Sequence, residues 1–214
     1  MSTIVKICGL KTLDTLDTAL DAGADMVGFV FFPKSPRNIG LADAARFIAH
    51  ASGHAETVAL VVDADDASIA SILDEAKPDW LQLHGSETPE RVAEIRKSSG
   101  KRVMKALPIA TAADLAAIPA FEAVADRLLF DAKPPKDATR PGGLGVPFDW
   151  NLLHGVETKV PFMLSGGLDP DNVAEALRIT HAPGVDVSSG VERAPGEKDP
   201  DRIRAFIRAA RGVT

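Results

Sequence analysis

The chain has 214 residues, 45% hydrophobic and 25% charged, and carries a formal net charge of −6 at pH 7. These proportions suit a globular protein with a sizeable core, and an acidic balance without a basic patch argues against nucleic acid as a partner. No apolar run reaches the length of a membrane span, no charged leader with an apolar stretch opens the chain, and the single cysteine, Cys8, cannot close an intramolecular disulfide. A cytoplasmic protein with no membrane partner is therefore expected, and small anionic ligands stay possible through backbone N–H groups.

In chain order, "IVKIC" (4–8) reads as a first strand, followed by Thr12 as a helix cap ahead of Leu13, Leu16 and Leu20. "MVGFVFF" (26–32) and "TVALVVD" (57–63) are the next apolar, β-branched runs, and Asp65 or Asp66 then caps a helix carrying Ile69, Ile72, Leu73 and Ala76. Further strand signals lie at 80–84, 102–107, 127–131, 161–166 and 184–189. Asp169-Pro170 and Asp199-Pro200 each predict a helix start with proline in the first turn, and Ile203, Phe206, Ile207 and Ala210 form the apolar stripe of the last helix. "DAGADMVGFVF" and "DEAKPDWLQLHG" echo one another as a helix-to-strand joint.

Eight strands, each followed by a helical segment, is the count of a single-domain (β/α)8 TIM barrel spanning 1–214. A doubly wound open sheet is the competing architecture, but "CGLKTLD" is not the glycine-rich turn that such a sheet places after its first strand. No linker or break in composition divides the chain.

In such a barrel the loops after the strands build the active site. The last residues of the runs include Cys8, Asp63, His84, Lys105, Asp131, Ser165 and Ser188, so polar residues gather at one end of apolar strands. Strand alternation puts Leu129 with Asp131 on one face, and Ile4, Lys6 and Cys8 together on the first strand. Taken alone, Cys8 reads as a small buried filler. A thiol facing a carboxylic acid across a barrel mouth reads instead as a base and an acid. The glycine segments at 164–170 and 186–192 follow strands seven and eight, the usual phosphate position of these barrels, and a third lies at 140–145. The long segment from Ala132 to Pro147 reads as a lid.

The motifs "KICGL", "GFVFFPKSPRNI", "LQLHG", "LLFDAK", "PGGLG", "LSGGLDPDNV" and "DVSSGVE" resemble, in order and over nearly the whole chain, the phosphoribosylanthranilate isomerases (TrpF family) of tryptophan biosynthesis. The resemblance implies an Amadori rearrangement of a phosphosugar–anthranilate substrate, with no metal and no organic cofactor. It assigns Cys8 as general base and Asp131 as general acid. It places Arg37 at the anthranilate carboxylate, Gly166, Gly167, Ser188, Ser189 and Gly190 at the phosphate, and Gly143 among the substrate-binding residues. His84 and Asp186 match positions near the ligand. Leu144 departs from the threonine common in the family's "GGTG". A monomer or a homodimer fits.

An ordinary aspartate is ionised at neutral pH and an ordinary cysteine protonated, so the site must raise Asp131 and lower Cys8. Lys6 and Asp186, brought together if the last strand pairs with the first, are expected to form a buried ion pair that biases Cys8 toward thiolate. Three alternatives compete: a histidine-pathway Amadori barrel (which has aspartate where Cys8 stands), a Schiff-base lyase working through Lys105, and a non-catalytic phosphate-binding barrel.

Overall fold

The computed structural model describes residues 3–133 and 148–213. Its strands are β1 (Ile4–Cys8), β2 (Met26–Phe31), β3 (Glu56–Val61), β4 (Trp80–Leu83), β5 (Arg102–Ile109), β6 (Arg127–Ala132), β7 (Phe162–Leu164) and β8 (Gly184–Val187). They form a closed barrel in chain order, every pair parallel. Closure occurs where β8 pairs with β1, which sets Lys6 opposite Asp186. The expected (β/α)8 topology is the one the chain adopts.

The two-residue period of a strand sorts each side chain to the lumen or to the helix layer. Met26, Val58, Trp80, Met104, Ala106, Leu129 and Met163 pack inside the barrel, and Cys8, Val30 and Leu60 form a smaller apolar group above them. The residues between them, such as Val27, Ala59, Leu81, Val103, Leu128 and Phe130, face outward into the large core under the helices. Trp80 helps to close the barrel floor: Arg102 and Arg127 lie against its ring, at 4.4 and 4.9 Å from the centroid, and its Nε1 donates to Glu56 at 2.9 Å.

The helices are α1 (Leu13–Asp21), α2 (Leu41–Ala51), α3 (Asp66–Glu75), α4 (Pro89–Ser99), α5 (Ile118–Glu122), α6 (Val173–Thr180) and α7 (Pro200–Arg211). Thr12, Asp65 and Asp199 cap α1, α3 and α7 with their side chains, and the predicted stripe of α7 is buried. Asp169 does not start α6 directly. Its carboxylate accepts from the N–H groups of Asp171 and Asn172, which caps a preceding turn, and the α-helix runs only from Val173. After β6 the described residues hold one 3₁₀ turn, Trp150–Leu153, in place of an α-helix, and Gly155 follows it at φ +73°. Among the described residues no helix is long and apolar enough to cross a membrane.

The echo between the joints into β2 and β4 has a physical cause. Asp25 lies just before β2 and its Oδ2 accepts the N–H of Val5, at the start of β1. Asp79, just before β4, does the same for Thr57 of β3, and Asp126, just before β6, for Val103 of β5. One aspartate per joint thus satisfies an otherwise unpaired strand-end donor.

Candidate active site

Cys8, His84, Asp131, Ser165 and Ser188 end at the same rim of the barrel because each stands at an inward position, or just past one, on its strand. Cys8 is 3% exposed and packs beside Val30 and Leu60. Gly28 of the neighbouring strand leaves the space that the thiol fills. A Cβ at Gly28 would stand 2.9 Å from Cys8 Sγ and 3.2 Å from Lys6 Cε.

Below Cys8 the expected ion pair is present. Lys6 Nζ donates to Asp186 Oδ1 at 2.7 Å, and Ser165 Oγ donates to Asp186 Oδ2 at 3.3 Å. Lys6 has no exposure and burial works against its ammonium, but Asp186 and Cys8 together raise the lysine above its ordinary value. Both oxygens of Asp186 are thus engaged by the chain's own groups. For Cys8 the expected lowering does not appear. Burial among apolar neighbours pushes the thiol up, Lys6 and Lys198 draw it back, and Asp186 adds to the rise, so the net direction is upward.

Asp131 lies on β6, three strands round the barrel from β1. Its Oδ1 accepts from the N–H of Ala132 at 2.9 Å, and its Oδ2 is 3.0 Å from His84 Nε2. Gln82, one inward position earlier on β4, turns its amide nitrogen toward His84 Nδ1 at 2.9 Å. With that donor facing Nδ1, the ring hydrogen sits on Nε2 and is given to Asp131. Gln82 Oε1 is buried without a partner.

Arg37 comes from the loop after β2 and is buried. Its Nε and Nη2 donate to the two oxygens of Glu192 at 2.7 and 2.8 Å, a bidentate pair. Glu192 opens the hairpin that follows β8, formed by β9 (Glu192–Ala194) and β10 (Glu197–Lys198). Lys198 Nζ also donates to Glu192, at 2.8 Å. Burial works against the Glu192 carboxylate, but the Arg37 hydrogen bonds and the Lys198 charge hold it down at about 2.

The two described glycine loops touch. A Cβ at Gly190 would come within 1.8 Å of Leu168 O, so only glycine lets the loop after β8 lie on the loop after β7. Gly166 and Gly167 have φ +84° and +68°, and a Cβ at Gly166 would meet Ala132 N at 2.4 Å and Asp131 Oδ1 at 3.0 Å. The turn therefore also rests against Asp131. Gly143 and Leu144, with residues 134–147 of the expected lid, lie outside the described residues.

Two of the polar strand ends do not join the site. Lys105 alternates with the inward Met104 and Ala106, so it points outward, where its Nζ donates to Gly85 O and Glu87 Oε2, each at 2.7 Å. Asp63 accepts from Ser86 N–H and its own N–H goes to Glu87, which brackets the loops after β3 and β4. The lumen-side lysine that a Schiff base at this position needs is absent from β5. Among the described residues no group of three His, Cys, Asp or Glu side chains is gathered to hold a metal ion. Gln82, Glu192 and Lys198 were missed from sequence. Gln82 shares parity with His84 and was findable; the two hairpin residues, 155 or more positions beyond Arg37, had no local signal.

A closed parallel barrel with a buried thiol and a buried carboxyl at its C-terminal rim defines a (β/α)8 enzyme that works by acid–base chemistry on a small molecule. Residues 5–209 match the model of the N-(5'-phosphoribosyl)anthranilate (PRA) isomerase family. An N-(5'-phosphoribosyl)anthranilate isomerase of Rhodopseudomonas palustris (strain BisB5) is 64% identical over 212 residues, covering 99% of this chain and 97% of that protein. The crystal structure of the phosphoribosyl anthranilate isomerase from Thermotoga maritima superposes with a TM-score of 0.88 at 35% identity, covering 98% of this chain and 99% of that one. A phosphoribosyl anthranilate isomerase in complex with reduced 1-(o-carboxyphenylamino)-1-deoxyribulose 5-phosphate gives 0.85 at 33% identity, with the same coverage. The chain belongs to the N-(5'-phosphoribosyl)anthranilate isomerase family.

Proposed function

We propose that Cys8 and Asp131 are the base and the acid with which this chain isomerises N-(5-phosphoribosyl)anthranilate to 1-(2-carboxyphenylamino)-1-deoxyribulose 5-phosphate, an aldose–ketose step of L-tryptophan biosynthesis. The observation that carries the reading is the placement of both groups, buried, at inward strand ends on one rim.

Asp131 gives a proton to the furanose ring oxygen. The bond from that oxygen to C1 breaks, and the anilino nitrogen lone pair forms a C1 iminium. Cys8, as thiolate, then removes the C2 proton. The C2–H electrons become the C1–C2 double bond and the iminium electrons return to nitrogen, giving an enolamine. Loss of the proton on the C2 oxygen and gain of one at C1 yield the ketone, so atoms and electrons balance without an external oxidant. Cys8 rests above its ordinary value, and the positive iminium formed next to it favours the thiolate at the step that needs it. His84, donating from Nε2 to Asp131 Oδ2, orients the carboxyl that delivers the proton.

Arg37 would take the anthranilate carboxylate by sharing or exchanging its fork with Glu192. Gly166, Gly167, Ser188, Ser189 and Gly190 would hold the phosphate, and Gly143 would bind substrate by its place in the family motif. The described site residues all come from one chain, so a monomer and a homodimer alike would carry a whole site. We place the enzyme in the cytoplasm and read residues 1–214 as one domain.

Turnover is followed as loss of substrate anthranilate fluorescence. Cys8→Ser and Asp131→Asn should each lower kcat by about 10²–10⁴-fold in folded protein. Wild-type rates in both variants would overturn the assignment.

A further inference from the structure

Two buried lysines flank Cys8. Lys6 lies below it, and the charge of Lys6 is answered by Asp186 at 2.7 Å. Lys198 comes from the hairpin, with its side chain 2% exposed. Its Nζ donates to the backbone oxygen of Ser188 at 2.9 Å, to Ser188 Oγ at 3.2 Å and to Glu192 Oε1 at 2.8 Å. Ser188 Oγ donates in turn to the carbonyl of Cys8 at 3.0 Å, just past the last β1–β8 register pair, Ile7 with Val187. The stem of Arg37 closes the same corner: a Cβ at Gly9 would stand 2.7 Å from Arg37 Cδ.

The charges at this corner do not cancel in the same way on the two sides. Asp186 faces Lys6 one to one. Glu192, the one carboxylate that Lys198 meets among the described residues, is also gripped at both oxygens by Arg37 and takes the N–H of Gly196 at 3.1 Å. One carboxylate is thus shared between two cations, and Lys198 is the one fastened through Ser188 to the backbone of Cys8.

We propose that Lys198 is a positioning residue for the reaction: it supplies the less compensated positive charge that favours the Cys8 thiolate, and it pins Ser188, where the phosphate loop begins, to the strand that carries the base. The electrostatics run the same way. Lys198 draws the Cys8 thiol down, against burial and Asp186, and its own ammonium, pushed down by burial to about 8, is supported by Glu192 and by Cys8. Among the described residues, Lys6, Asp186 and Lys198 act on Cys8, Arg37 and Glu192 stand with Lys198, and Asp131 with His84 lie across the mouth. The inference rests on Cys8 being the base, and its test reads the two separately.

Cys8 is the only cysteine, so the ultraviolet absorbance of the thiolate titrates this group alone. In Lys198→Met the midpoint should rise, the acid limb of kcat/KM should move with it, and Lys198→Arg, whose guanidinium keeps its charge throughout the titration, should place the midpoint at or below the wild-type value. A folded Lys198→Met with an unmoved midpoint overturns the proposal, even if stability falls, since a hairpin fastener alone would not touch the titration. If Lys198→Met does not fold, Lys198→Arg decides, and a midpoint that rises above the wild-type value there overturns it. Failure of the base assignment looks different: Cys8→Ser turns over at the wild-type rate while the titration shifts still occur.

Discussion

His84 Nε2 lies 3.0 Å from Asp131 Oδ2, and the Gln82 amide, 2.9 Å from Nδ1, sets which ring nitrogen carries the hydrogen. Donor, ring and carboxyl form a line running from the barrel interior to the rim. Asp131 is thereby held in orientation from one side by its neighbour's N–H and from the other by an imidazole.

The first prediction follows from that line. His84→Leu removes a bond to the acid of the kind that contributes about 1.5–3 kcal/mol, so kcat should fall about 10–100-fold while KM changes little. Gln82→Met leaves the ring in place and should cost less. Steady-state kinetics on both variants check this, and an unchanged kcat in His84→Leu would show that Asp131 works without its partner.

Lys6 and Asp186 form a pair with almost no exposure on either side. Lys6→Met leaves a buried carboxylate unpaired and should destabilise the fold by about 3–5 kcal/mol, whereas adding Asp186→Leu should recover much of that loss. Urea unfolding of the two single variants and the double reads the coupling. The same Lys6→Met protein should show a higher Cys8 titration midpoint; an unchanged one would make the pair purely structural.

Gly190→Ala forces a methyl against Leu168 O and so separates the loops after β7 and β8. The expected result is a KM raised about tenfold or more, the loss of one charge-assisted contact to phosphate, with a smaller change in kcat. Weakened inhibition by inorganic phosphate should accompany it. A change in kcat alone would place the phosphate elsewhere.

The hairpin cluster gives a pH dependence of known sign. Glu192 rests at about 2, below its ordinary 4.5, so its contribution to stability is present above 4.5 and is lost as pH falls from there toward 2. Lys198 is depressed from 10.5 to about 8. Between those values the unfolded chain holds the proton more firmly than the folded one, so stability gains from this group as pH rises through that window. Urea midpoints measured over pH should show both slopes in the wild type. Glu192→Gln should lose the acid slope.

Much of this was legible before the structure. Cys8, His84 and Asp131 end apolar runs, and alternation correctly put Lys6 beside Cys8 and Asp131 beside Leu129 on inward faces. The Lys6–Asp186 pair followed from parity plus closure of the last strand on the first. Lys105 was misplaced among the converging residues because the run containing it was counted from its end rather than by its parity with Met104 and Ala106, and the error of one position moved it to the other side of the sheet.

The sequence by itself determined the barrel, the inward strand-end places of Cys8 and Asp131 and the glycine loops, because strand period, helix caps and turn residues act over a few positions and leave a local pattern. Only the tertiary structure decided that Arg37 meets Glu192, that Lys198 fastens Ser188 to Cys8, and that burial raises the thiol where chemistry alone called for lowering it. Those outcomes depend on which distant segments share a low-dielectric space, and the energy of a buried charge is set by that company rather than by its neighbours in the chain.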